Sequence, residues 1–79
     1  MKYKKLKARI FEIYGQQILF AQELGITPIT LSSKLNGKIG ISAEEVYKWC
    51  KLLKIRADEI AIYFFPEMFN ENEVESQQQ

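Results

Sequence analysis

Apolar side chains recur along the chain as far as Phe64 at spacings of three and four, the period of an α-helix, and no stretch alternates with period two. Leu6, Ile10, Ile13 and Tyr14 share one helical face with lysines between them, and Gly15 supplies a stop. Ile18, Phe20, Ala21 and Leu24 predict a short second helix closed by Gly25, a residue free to take positive φ. A third helix opens with Thr27 as N-cap and Pro28 in the first helical position, where a missing N–H costs nothing. Leu31 and Leu35 form its inward stripe, and Asn36-Gly37 ends it. Ser42-Ala43-Glu44-Glu45 matches a capping box, with Ile41 and Val46 placed to staple across it. Val46, Trp49, Cys50 and Leu53 continue that helix. A last short one begins near Ala57, led by Asp58 and Glu59 at its positive end, with Ile60, Tyr63 and Phe64 as its apolar side. Pro66 breaks the pattern. The expectation is an all-α domain of five short helices over residues 1–66, followed by a flexible, acidic, polar tail over 67–79. Its core should comprise Leu6, Ile10, Ala21, Leu24, Leu31, Leu35, Val46, Trp49, Leu53 and Ile60.

Composition narrows the chemistry. Seventy-nine residues allow one domain, and 47% apolar with 13% aromatic residues can build a core without disulfides or metal. Cys50 is the lone cysteine and cannot form an internal bridge, which suits a reducing cytoplasm. The chain has no histidine, which removes His-based acid–base catalysis and the usual zinc motifs. No cofactor, metal or small-molecule substrate is expected, and no nucleophile–base pair stands out. The basic N-terminus is followed by neither a long apolar run nor a small-residue cleavage site, so no membrane span or export is expected, and the expected location is the bacterial cytoplasm, at the nucleoid.

The formal net charge of +1 hides an asymmetry. Residues 1–56 hold all 11 Lys+Arg against Glu12, Glu23, Glu44 and Glu45, a net +7, whereas Asp58, Glu59, Glu67, Glu71, Glu73 and Glu75 give the remainder −6. A basic body with an acidic end makes an anionic partner plausible.

Within Gln17 to Gly37, the residues Gln17, Ala21, Leu24-Gly25-Ile26, Leu31 and Asn36-Gly37 resemble the helix-turn-helix of the phage Cro/CI-type (XRE-like) regulators. The spacing has mechanical reasons: Ala21 is small where two helices cross, Gly25 makes the turn, and Ile26 with Leu31 sets the second helix at an angle suited to a major groove. The resemblance runs from about Leu6 to Ile60. KLKARIFEIYG and the LNGK turn look most like small phage-borne regulators of Gram-positive bacteria. It implies a five-helix, lambda-repressor-like DNA-binding domain and a transcriptional regulator, expected to be a repressor. The chain departs from the family at Pro28 and Ile29, where Gln, Ser or Arg is frequent, and at Arg56, where Ser or Thr usually caps the last helix.

At 100° per residue, with Leu31 and Leu35 inward, Ile29 and Ser33 point away from the core, Asn36 and Ser32 lie on one flank, and Thr30 and Lys34 on the other. Pro28, Ile29, Ser32 and Ser33 are therefore the candidate base contacts. Ile29 can pack on a thymine methyl, and Ser33 can donate to or accept from any base. Thr27, Thr30 and Lys34 are candidate phosphate contacts, joined by Gln17, which the resemblance places on a phosphate, and by Asn36, Lys38 and the N–H groups of the Gly37 turn.

Each assignment has a plainer rival. Ile29 can be an ordinary exposed apolar residue, Gln17 a cap for its own helix, and the lysines near the N-terminus with Arg9 a solvated helix face. Tyr63, Phe64 and Phe65, with Met68 and Phe69, either pack locally or form a homodimer surface. Two functions remain. One is a homodimer on a double-stranded DNA operator, and the other is a protein-interaction module on the same fold, such as an antitoxin or antirepressor partner.

Overall fold

Leu6 and Ile10, one helical turn apart, are both completely buried, and they make α1 (Lys4–Tyr14) the element around which the others pack. The computed structural model describes residues 2–68, which are all-helical. After α1 come α2 (Gln17–Leu24), α3 (Pro28–Leu35), α4 (Ala43–Leu53), a 3-10 turn (Ala57–Glu59) and α5 (Ile60–Phe64). α1 contacts all four other α-helices, and α2 also packs against α3. The expected five helices are present, the last entered through the 3-10 turn. The expected tail lies outside the described residues from position 69 onward, and so does Phe69.

Aromatic rings tie four helices together. Tyr14 of α1 lies 5.1 Å from Phe20 of α2, Phe20 meets Trp49 of α4 edge-on at 5.3 Å, and Trp49 lies 6.2 Å from Phe64 of α5. Such offset and edge contacts add about 0.5–1.5 kcal/mol per pair to simple burial. Leu31 and Leu35 close the core beneath α3, joined by Ala21, Leu53 and Cys50. The expected Leu24, Val46 and Ile60 are only half-buried at the margin, while Phe20, Ile55 and Phe64 are central. Burial pushes the Cys50 thiol up from its ordinary value, so this cysteine packs as a small apolar group.

The helix ends explain the chain's sharp turns. At the end of α2, Gly25 sits at φ 75°, its N–H donates to the Gln22 carbonyl and that of Ile26 to the Ala21 carbonyl, both at 3.1 Å. That double bond pattern closes the helix and fixes the exit direction toward α3. Ser42 and Glu45 form the expected reciprocal box on α4: the Ser42 N–H donates to Glu45 Oε1 at 2.8 Å, and the Glu45 N–H donates to Ser42 Oγ at 3.1 Å. At the far end of α4, Lys54 adopts φ 55°, a left-handed conformation unusual outside glycine, and Ile55 then folds into the core with its N–H on the Cys50 carbonyl. Arg56 leaves the last helix without a side-chain oxygen cap, but Glu59 reaches back and accepts the Arg56 N–H at 3.0 Å.

Candidate nucleic-acid interface

Thr27, in extended backbone at φ −77°, starts α3 by accepting the Thr30 N–H on its hydroxyl oxygen at 3.1 Å. Its hydroxyl donates in turn to Thr30 Oγ1 at 2.9 Å, leaving the Thr30 hydroxyl proton free for an outside acceptor. Pro28 follows in the first turn and is exposed. Ile29 then projects fully outward at 79% exposure, the largest value among the exposed apolar side chains of the described residues. The opposite face, Leu31 and Leu35, is buried. The helical angles thus place Ile29 correctly.

Ser32 and Ser33 are half-buried. The Asn36 N–H donates to the Ser32 carbonyl at 2.9 Å, that of Gly37 to Lys34 at 3.1 Å, and those of Lys38 and Ile39 to Ser33 at 2.9 and 3.4 Å. These bonds correct one expectation. The N–H groups of the Gly37 turn are consumed by the last carbonyls of α3, as unpaired helix-end carbonyls demand, and cannot also hold phosphate. What the turn presents outward is the exposed Asn36 and Lys38 side chains.

Lys34 is a second correction. Its ammonium donates to the Gly40 carbonyl at 3.1 Å and lies 3.0 Å from Glu45 Oε2, with the side chain only 12% exposed. The cation joins α3 to the capping box of α4 and is withdrawn from any phosphate. Burial works to raise the Glu45 carboxyl, yet the Ser42 N–H and the Lys34 ammonium outweigh it and hold the group below its ordinary value.

Gln17 occupies the first position of α2, half-buried, after Gln16 at the N-cap. Neither side chain caps the helix, so the plainer role for Gln17 is not realised, and α2 begins with no side-chain oxygen on its first amides. Beside it runs an open cleft of about 540 Å³, lined by Lys4, Lys7, Ala8 and the exposed Phe11. Sequence reading passed over Phe11. At 100° per residue it lies about 120° off the Leu6–Ile10 face, a third of a turn, and that angle was the available signal.

This geometry places a short helix, apolar at its outward tip and polar at both shoulders, on a basic body. The chain belongs to the DUF739 family. The match covers residues 1–67, and the family is described only as proteins of unknown function. A search among curated proteins finds no match. For this DUF739 chain the surface therefore has to be read from its own residues. No helix among the described residues is long and apolar enough to cross a membrane, and no group of His, Cys, Asp and Glu among them could hold a metal ion.

The expected dimer surface divides. Phe64 is 4% exposed and stacks toward Trp49, which removes it from any interface: its ring belongs to the core. Tyr63 is half-buried beside Lys5, Ala8, Arg9 and Glu12. Phe65 and Met68 are exposed at 49% and 59%. Arg9, grouped with the solvated lysines by its sequence neighbours, is instead directed across the fold to the end of α4.

Proposed function

We propose that this chain binds double-stranded DNA sequence-specifically, as a homodimeric transcriptional repressor of the helix-turn-helix type, with α3 as the recognition helix. The observation that carries this reading is Ile29: an apolar side chain left outward on the first turn of a helix whose other face is locked into the core. N-terminal residues of a recognition helix are the ones that approach base edges. Ile29 and Pro28 suit thymine methyls, while Ser32 and Ser33, half-covered, act at the edge of the contact. Thr27, Thr30, Asn36 and Lys38 stand at the two shoulders of the helix, where backbone phosphates would pass, and Gln17 with the uncapped start of α2 offers a further anchor. The net +7 of residues 1–56 supplies long-range attraction. Neither catalysis nor a cofactor enters this function.

A second reading has its own support. The tip is apolar and Lys34 is unavailable, so Pro28 and Ile29 would also suit a protein groove, as in an antitoxin or antirepressor partner. Selection of bound duplexes from a random pool separates the two. DNA reading requires an enriched motif, T-rich opposite α3, and affinity that falls with salt. Weak, salt-insensitive binding to every duplex would favour the protein partner.

A further inference from the structure

Lys4, Lys7, Ala8 and Phe11 fall at i, i+3, i+4 and i+7 of α1 and so share one face, turned away from the buried Leu6–Ile10 stripe. Gly15, at φ 82°, turns the chain from α1 into α2, and Gln16 and Gln17 complete the lining of the cleft of about 540 Å³ on that face. The lining holds two lysines and no carboxylate. Ion pairs among the described residues belong to Lys2, Arg9, Lys34 and Arg56, so neither Lys4 nor Lys7 meets a carboxylate among those residues. Phe11 lines the same cleft at 65% exposure, an aromatic ring left in water beside two cations.

We infer that this cleft binds a small aromatic anion, and that its occupant and operator DNA exclude one another at Gln17. The exclusion rests on the DNA reading above, whereas the site itself does not. The cleft's volume lies within the range of about 300–1,000 Å³ that small-ligand sites occupy, sites lined by apolar groups with a few polar ones to orient the ligand. The Phe11 ring offers a flat aromatic body an offset or edge contact, which adds to simple burial. Lysine stems cover apolar surface while the ammonium stays in water, so Lys4 and Lys7, one turn apart, suit a single anionic group at the ligand's edge. Gln16 and Gln17 each add a neutral donor and acceptor for a polar substituent. A DNA strand meets only part of this chemistry, because its phosphates would pair with the lysines and leave Phe11 in water. Charge complementarity and the exposed ring together select a compact aromatic anion as the occupant. Held there, it places negative charge beside Gln17, where the DNA reading puts an operator phosphate, so each ligand weakens the other by the same factor.

The test uses the full chain, with indole-3-acetate and its uncharged isostere indole-3-acetamide as probes. Indole-3-acetate should move the amide signals of Lys7, Ala8, Phe11, Gly15 and Gln17 and leave those of α4 in place. The uncharged probe should bind about fivefold more weakly, and Lys4→Gln with Lys7→Gln should erase that difference. Phe11→Ser, at an exposed position, should weaken both probes about tenfold with thermal stability unchanged. Saturating indole-3-acetate should lower affinity for a selected duplex about tenfold, an effect absent from Phe11→Ser at the same probe concentration. Signals that move only outside the cleft, or probe affinity unaltered by Phe11→Ser, would overturn the site. Cleft binding with unchanged duplex affinity would overturn the exclusion. If no duplex binds while the cleft signals move, the site stands and the DNA reading fails, and the exclusion with it.

Discussion

Arg9 closes the end of α4. Its Nε donates to the Leu53 carbonyl at 2.9 Å, and a terminal guanidinium nitrogen donates to the Lys54 carbonyl at 3.1 Å, across 44 and 45 residues of sequence. These are carbonyls that a helix end leaves without intrahelical partners, and a cation there also faces the negative end of the helix dipole. Arg9→Met keeps much of the stem and removes the fork. Hydrogen bonds to charged groups are worth about 1.5–3 kcal/mol, so urea unfolding should show a loss near that range with an unchanged m-value. Arg9→Lys should fail to restore it, because an ammonium cannot span both carbonyls in a fixed fork. The exposed pair with Glu12 should contribute little: Glu12→Gln should cost well under about 1 kcal/mol.

Lys54 makes the opposite prediction. It holds a left-handed conformation at φ 55° so that Ile55 can enter the core. Glycine takes that conformation without the Cβ penalty, at the expense of more unfolded-state freedom, so Lys54→Gly should stabilise the fold by about 0.5–1 kcal/mol in thermal or denaturant unfolding. A loss of stability would mean that the lysine stem packs in a way that offsets the strain.

Glu45 sets an acid limit on the junction between α3 and α4. Its carboxyl titrates lower in the folded protein than in the unfolded chain, so its ionised form adds stability at neutral pH. That contribution is complete above the ordinary carboxyl value of 4.5 and is lost as pH falls through the lower folded value. Unfolding free energies of the wild type and Glu45→Gln should therefore differ most at neutral pH and converge as pH falls below 4.5 and through the lower folded value. A constant difference down to strongly acid pH would remove Glu45 from the acid response.

The contrast between Arg9 and Ile29 shows what sequence could and could not reveal. Ile29, Leu31 and Leu35 lie on one helix, where local periodicity alone decides which faces in, and their placement was legible. So were the Thr27 cap and the Ser42–Glu45 box, since both act within four residues. Arg9, Lys34 and Phe64 went astray because their partners, Leu53, Glu45 and Trp49, come from other helices. Ile55 belongs to no helical period at all and is buried by the turn at Lys54. The N–H groups after α3 were misread for a related reason: a loop looks like a donor until the helix-end carbonyls it must satisfy are counted.

Dimerisation, if it uses the C-terminal aromatic segment, now falls on Phe65 and Met68 with the edge of Tyr63. A stable interface needs about 800 Å² per partner, more than these three side chains supply, so neighbouring surface must take part. Phe65→Ala should raise the dimer dissociation constant in sedimentation without lowering thermal stability of the monomer. Phe64→Ala should do the reverse, destabilising by about 3–5 kcal/mol as a cavity beside Trp49. Unchanged dissociation in Phe65→Ala would move the dimer surface elsewhere.

The apolar tip of α3 gives the sharpest test of base reading. Pro28 and Ile29 cannot form the paired hydrogen bonds that identify guanine or adenine, so the proposed DNA reading requires discrimination by thymine methyls, by the half-buried serines and by DNA shape. Replacing contacted thymines by uracil deletes only the methyl, worth about 0.8 kcal/mol when buried, or roughly fourfold in affinity per base. Ile29→Ala should lose most of that sensitivity, because the group that covered the methyl is gone. Lys38→Ala should behave differently, weakening all duplexes alike and lowering the salt dependence by about one unit of slope. Lys34→Ala separates a structural cation from a DNA contact: it should lower thermal stability through the orphaned Glu45 and leave the salt slope unchanged. Equal binding of uracil and thymine sites would take Ile29 off the bases and turn the tip of α3 toward a protein partner.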